Sequence, residues 1–389
     1  MRASCANACA HMVSKRYLAL DGLRGVAALA VIFYHAPWTT HFSNLEATRN
    51  AYLAVDFFFI LSGFVIAANY ARNIADGRDL RVFLTKRFFR LYPLHFAILA
   101  ALVGLEILKW AAQSGRASDV APFTGPNSLS LLFENLLMLQ GLGLESRLGW
   151  NPPAWSVGAE CVAYLLFAAA AIAGQVRRSA SVVAICVLSL GAYLLIALFQ
   201  KTLDATFIFG LVRCVAGFSL GVAVWLYSPA AWRAAPLVAT VAALLALTVA
   251  ALAPGGETVA IIPLFVALTA SLQYDRGLLA ERLSTPAIQF LGRASYSIYL
   301  THMPIFYIFT IVLKRVGHVP FHAGAHGQIL DIGSPWTGDL LFAGVVGVTL
   351  MTSWATYRLI EEPGRRFGAR IAQSLASRTG RQTGIEQSA

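Results

Sequence analysis

The sequence predicts an all-α polytopic membrane protein of about ten transmembrane helices. Three observations predict it. Hydrophobic residues make up 58% of the 389 positions and charged ones only 13%, where a soluble domain has about 45–50% and about 25%. Mean hydropathy is +0.65. The apolar residues gather into runs long enough to cross a bilayer, without strand alternation. Only helices and closed barrels satisfy their backbone in lipid, so such runs select helices.

Ten runs qualify: 19–36, 53–70, 89–109, 155–174, 180–199, 206–227, 235–253, 257–273, 289–313 and 338–360. The first, LDGLRGVAALAVIFYHA, carries Asp21, Arg24 and His35. The second begins VDFFFILSGF, with Asp56 near its start, and the third is opened by KRFFRLYPLH. The stretch 129–142 is short and amphipathic and is read as an interfacial or re-entrant helix. The fourth run opens within NPPAWSVGAE, and the sixth holds Arg213. The ninth contains GRASYSIYLTHMP with His302, and the tenth ends close to IEEPGRRF. The domain organisation expected is a disordered N-terminal tail over 1–16, one membrane domain over 17–367, and a disordered tail over 368–389. The first tail has no apolar core and is not read as a signal peptide. There is no internal repeat and no separate soluble domain.

Net charge is +11. On a membrane protein such an excess marks cytoplasmic loops rather than nucleic-acid binding. With the N-terminus inside, inner segments hold 18 Lys and Arg and outer segments 6, so both termini are expected to be cytoplasmic, in the cell (inner) membrane. The five cysteines (Cys5, Cys9, Cys161, Cys186, Cys214) form no CxxC pair or zinc spacing. His318, His322 and His326 recur every fourth residue, but the intervening glycines argue against a metal-binding helix. No metal is expected.

Arg24 and His35 are eleven residues apart, which on a helix is three turns plus roughly 20°, about 16 Å along the axis. They share a face, with Asp21 within about 40° of it. Snorkelling and an interfacial position account for either residue alone. Two ionisable groups on one stripe favour a cavity or pathway, and imidazole is the usual general base near neutral pH. Arg87 and Arg90 neighbour each other on the third helix. They serve as a positive-inside anchor or, with Arg24, as three guanidinium forks at one level for a polyanion. Asp56 and Glu160 lie toward the outer side, either one able to orient His35 or take its proton. Trp155 and Ser156 accompany Glu160. Asp56 as a helix-start charge and Trp155 as an interfacial ring are the plainer readings. His302 is read first as structural. Arg213 and Glu106 each need a partner that the sequence does not name.

Taken in order, LDGLRGVAALAVIFYHA, VDFFFILSGFVIA, FLTKRFFRLYPLHF, NPPAWSVGAE, FLGRASYSIYLTHMPI and IEEPGRRF make the chain resemble the acyltransferase-3 family of integral membrane O-acyltransferases over about residues 17–367. The resemblance implies transfer of an acyl group, acetyl as the first expectation, from cytoplasmic acyl-CoA to a hydroxyl of a carbohydrate acceptor such as an exported polysaccharide. It places the family's Arg-x10-His on Arg24 and His35, with His35 catalytic. It places the family's Arg-x-x-Arg on Arg87 and Arg90, with the arginines handling acyl-CoA, and Trp-Ser-x-x-x-Glu on Trp155, Ser156 and Glu160. The esterase-like domain fused to some members is not expected here. The runner-up acceptor is a small antibiotic-type glycoside. A transporter is the rival from another class, disfavoured because no half is repeated. A non-catalytic scaffold on the same fold is disfavoured by the intact set of site residues.

Overall fold

The protein is described here by a computed structural model, which covers residues 16–112, 121–177, 181–227, 236–315, 317–324 and 327–377. In chain order the helices are α1 (Leu18–Tyr34), α2 (Ala54–Tyr70), α3 (Gly77–Ala112), the short α4 (Leu129–Leu136), α5 (Ala154–Ile172), α6 (Ser181–Gln200), α7 (Phe207–Leu226), α8 (Leu237–Leu252), α9 (Ile261–Leu272), the short α10 (Leu278–Leu283) and α11 (Pro286–Arg315). An antiparallel hairpin of β1 (Phe321–Gly324) and β2 (Gly327–Leu330) follows. The chain then enters α12 (Pro335–Thr356), a π-helical turn (Tyr357–Glu361) and α13 (Glu362–Ser377).

Among the described residues, eight helical stretches are long and apolar enough to span a membrane. They match eight of the ten expected runs. The remaining two, the first and the seventh, appear as α1 and α8, of 17 and 16 residues. At 1.5 Å per residue these are about 26 and 24 Å long, somewhat short of the roughly 30 Å hydrocarbon core. The expected tail over 1–16 lies outside the described residues except for Arg16, which bonds Asp21 at 3.2 Å. The C-terminal boundary differs from expectation. Helix α13 continues past 367 to Ser377, because residues 362–377 give it one face that packs on α3. The segment from His318 leads into the hairpin, with His322 in β1 rather than on a helix; His326 lies outside the described residues.

Small residues set the helix crossings, as expected where lipid offers no hydrophobic drive between helices. A Cβ on Gly25 would collide with the backbone of Leu291 and Gly292, and one on Gly292 with the backbone of Asp21. Helices α1 and α11 therefore touch main chain to main chain at the level of Arg24. Helices α2 and α7 meet in the same way, Gly63 against Phe218 and Gly221 against Ile60.

A buried ion pair ties α2 to α7. Arg213 Nη2 donates to Asp56 Oδ2 at 2.6 Å and its Nε to Oδ1 at 3.1 Å, with 1% and 0% of the side chains exposed. Tyr193 of α6 donates to the same carboxylate at 3.0 Å, and the third guanidinium nitrogen reaches Ala205 O at 2.6 Å. All the donors converge, so the charges are compensated where water is absent. Breaking such a pair on one side costs about 3–5 kcal/mol, while replacing both partners by apolar groups costs far less. Thermal unfolding in detergent is therefore expected to show a large drop in Tm for Arg213→Met and recovery of most of it in Asp56→Leu/Arg213→Met.

Candidate active site

Two cavities open into the bundle, and they divide the polar residues between them. The first, about 140 Å³, is lined by Arg24, Arg87 and Arg90 together with Ser62, Glu160 and Ser295. Arg24 is fixed by α11. Its Nε donates to Ser295 Oγ at 2.8 Å and its Nη2 to Gly292 O at 2.8 Å, the close approach allowed by the glycine crossing. Asp21 stands 3.4 Å away and also serves Arg16.

Arg90 is paired with Glu361, and Ser297 donates to the other carboxylate oxygen at 2.8 Å. Glu361 is the last residue of the π-helical turn, and its side chain is wholly buried. The wider turn shifts the register of the following helix. Arg87 has no such carboxylate. It donates to the Tyr70 hydroxyl at 3.1 Å and lies 5.2 Å over the Tyr70 ring, while its Nε is buried with no hydrogen-bond partner among the described residues. Among the described residues, the cavity thus keeps one guanidinium without a carboxylate at ion-pair distance beside two that have one, an arrangement suited to an anion.

The second cavity is larger, about 1010 Å³, and is lined by His35, Tyr34, Tyr52, Trp155, Asp204 and Arg213 among others. His35 caps the C-terminal end of α1. Its Nδ1 lies 2.9 Å from Val31 O. A carbonyl only accepts, so Nδ1 carries the proton and Nε2 bears the ring's lone pair. His302 Nε2, 3.3 Å from the same Nδ1, then faces it as an acceptor. His302 is fully buried. Its Nε2 offers the lone pair this contact needs.

Tyr299 lines both cavities. Its hydroxyl lies 2.8 Å from Ser156 Oγ and donates to Pro153 O at 3.2 Å; Ser156 Oγ donates to the same carbonyl at 3.1 Å. These groups form the wall between the arginine cavity and the histidine cavity.

The structure brings Arg24, Arg87 and Arg90 together as the spacing suggests. It parts the two carboxylates expected near His35. Asp56 belongs to the buried Arg213 pair, which gives Arg213 the partner the sequence left unnamed. Glu160 lines the arginine cavity, where Ser62 and Tyr164 donate to it, the latter at 2.6 Å. The reason is helical geometry. Ser156 and Glu160 are four apart and share that face, whereas Trp155 is turned toward the histidine cavity and packs on Phe59. Glu106 pairs with Lys109 and accepts from Asn127 at 2.6 Å. Glu361, Tyr299 and His302 are the residues whose roles sequence reasoning missed. All three stand in stretches that carried the resemblance, but nothing local marks the turn or the wall.

Comparison with known proteins identifies the family. The family model described as "Acyltransferase domain" matches residues 17–358. "Protein 2 in picA locus" of Rhizobium radiobacter is 34% identical over 44% of the chain and 91% of its own length. "Peptidoglycan O-acetyltransferase OatA" of Listeria monocytogenes is 25% identical over 91% of the chain, which spans 57% of that longer protein. "Putative membrane-bound transacylase BcsY" of Komagataeibacter xylinus is 25% identical over 92% of the chain and 86% of its own length. No solved structure matches. With the matched region covering the helices that build both cavities, the chain belongs to the acyltransferase-3 family of integral membrane O-acyltransferases.

Proposed function

We propose that the protein moves an acyl group, acetyl in the first instance, from acyl-CoA on the cytoplasmic side of the cell (inner) membrane to a hydroxyl of a carbohydrate acceptor on the outer side. The observation that carries this reading is the pair of cavities meeting at Tyr299, arginines in one and His35 in the other. The excess of Lys and Arg in the segments level with Arg24 supports a cytoplasmic arginine end. Arg24, Arg87 and Arg90 suit the phosphates of the donor. The acyl-pantetheine arm runs from there toward Tyr299. The larger cavity suits a saccharide: ring faces at Tyr34, Tyr52 and Trp155 meet sugar C–H surface, and Asp204, which accepts from the Tyr34 hydroxyl at 2.5 Å, offers a carboxylate to sugar hydroxyls. The name of OatA, a peptidoglycan O-acetyltransferase, agrees with an envelope glycan as acceptor, and that of BcsY, a membrane-bound transacylase, agrees with acyl transfer.

The acting atom is His35 Nε2. In direct transfer it takes the proton of the acceptor hydroxyl while the oxygen bonds to the acyl carbon, the C–S bond breaks, and the proton passes to the departing thiolate. With a covalent intermediate, Nε2 first bonds to the acyl carbon and the thiolate leaves. The acceptor oxygen then displaces the imidazole, and its proton again ends on the thiol. Both routes need the Nδ1–H that Val31 and His302 hold in place.

Mass spectrometry of envelope glycans and exported polysaccharide tests this reading. A base-labile acyl mass is expected to vanish in a gene deletion and in cells carrying His35→Ala at matched expression. Its persistence with His35→Ala contradicts the assignment of His35. His302→Ala is expected to lower kcat at least tenfold with the donor KM unchanged, and His302→Asn, which keeps an acceptor, to recover part of the loss in steady-state assays. A raised donor KM with kcat intact contradicts the positioning role. Tyr299→Ala is expected to let a membrane-impermeant thiol reagent added outside label Ser62→Cys in a background without native cysteines. No labelling contradicts the wall.

A further inference from the structure

The C-terminal helix α13 carries two adjacent arginines, Arg365 and Arg366, and the fold treats them differently. Helix α13 docks on α3 through its glycines. Pro93 removes the amide that would bond Phe89 O, and Gly364 lies against both, its Cβ direction meeting Pro93 Cγ at 3.0 Å and Phe89 O at 3.3 Å. One turn on, a Cβ at Gly368 would overlap the Phe89 side chain. One turn back, Glu361 holds Arg90. Residues 361, 364, 365 and 368 therefore share the stripe that faces α3. Arg366 is on the other side. It pairs with Glu362 at 2.5 Å with 72% of its side chain exposed.

Helix α13 runs antiparallel to α3, so Arg365, one turn beyond Glu361, lies on the side of Arg90 away from the Tyr299 wall. It is exposed, while Arg24 and Arg90 have only 27% and 17% of their side chains in contact with solvent. Its charge adds to those of Arg24, Arg87 and Arg90. Arg366 takes the nearby Glu362, so Arg365 has no carboxylate at ion-pair distance among the described residues. Four guanidinium groups thus converge, and only Arg90 has a buried carboxylate to itself. Like charges held together in this way are repaid when an anion arrives.

We propose that Arg365 is a fourth donor-binding residue and takes the phosphate farthest from the thioester, the 3′-phosphate on the ribose of the acyl carrier. This rests on the acyl-CoA reading given above. The order of the groups carries it. The pyrophosphate joins the pantetheine arm to the adenosine, so a donor whose thioester points at Tyr299 puts its pyrophosphate at the inner arginines. Its ribose phosphate then lies at the mouth, where Arg365 is.

The test is a binding titration on the purified full-length protein in nanodiscs, with acetyl-CoA and 3′-dephospho-acetyl-CoA. Wild type is expected to bind acetyl-CoA more tightly than the dephospho form. Arg365→Ala is expected to weaken acetyl-CoA about tenfold, the worth of one charge-assisted hydrogen bond, and to leave the dephospho form unchanged. Arg366→Ala is expected to change neither. Gly368→Leu, which pushes α13 off Phe89 without removing a charge, is expected to reproduce the selective loss. Equal affinities of wild type and Arg365→Ala for both donors overturn the proposal while the acyl-CoA reading stands. So does an equal loss for both donors. A wild type that binds neither donor overturns the acyl-CoA reading and this proposal with it.

Discussion

The ion pair between Arg90 and Glu361 is the constraint on which the arginine end of the bundle depends. A guanidinium inside a lipid-embedded bundle is costly unless the fold supplies its counter-charge. Here the counter-charge comes from the far end of the chain, carried by a π-helical turn, and Ser297 of α11 completes its hydrogen bonding. One carboxylate thus joins α3, α11 and the α12–α13 junction. It holds Arg90 against the cavity and brings α13 onto Phe89 and Pro93. With Arg90 satisfied, Arg87 remains the guanidinium of this cavity with no carboxylate at ion-pair distance among the described residues.

The same economy separates structure from chemistry elsewhere. Asp56 and Arg213 satisfy each other completely and tie α2 to α7, which makes them part of the frame. Glu160 is bonded by Ser62 and Tyr164 on the arginine side. What remains near His35 is an imidazole held through one nitrogen by Val31 O and His302, and a spacious cavity beyond it. The fold keeps a positively charged chamber and a reactive imidazole chamber apart with two hydroxyls and one proline carbonyl. Tyr299 is a residue that lines both chambers.

Much of this was legible in the sequence. The expected runs all become helices, because apolar length in lipid leaves the backbone little choice. The stripe from Arg24 to His35 and the Arg87–Arg90 pair were readable because helical spacing alone places them. Partners across helices were not. Asp56 and Arg213 are 157 positions apart, and Arg90 and Glu361 are 271 apart. No periodicity within one run encodes such a meeting. Glu160 was misdirected for a different reason. Its depth along α5 was read as its position, whereas the side it faces is fixed by the four-residue step from Ser156. The helix beyond 367 was read as a tail because α13 is polar overall, and its docking on α3 relies on glycines that sequence reading did not single out.

The central claim is that donor and acceptor meet from opposite sides at the Tyr299 wall. Vectorial transfer tests it most directly. Proteoliposomes with the protein in one orientation are given labelled acetyl-CoA on the face bearing the arginine cavity, and a saccharide acceptor on the face bearing His35. The account predicts labelled acceptor in this arrangement and none when acetyl-CoA is supplied only to the His35 face. Equal transfer with the donor on the His35 face would contradict it.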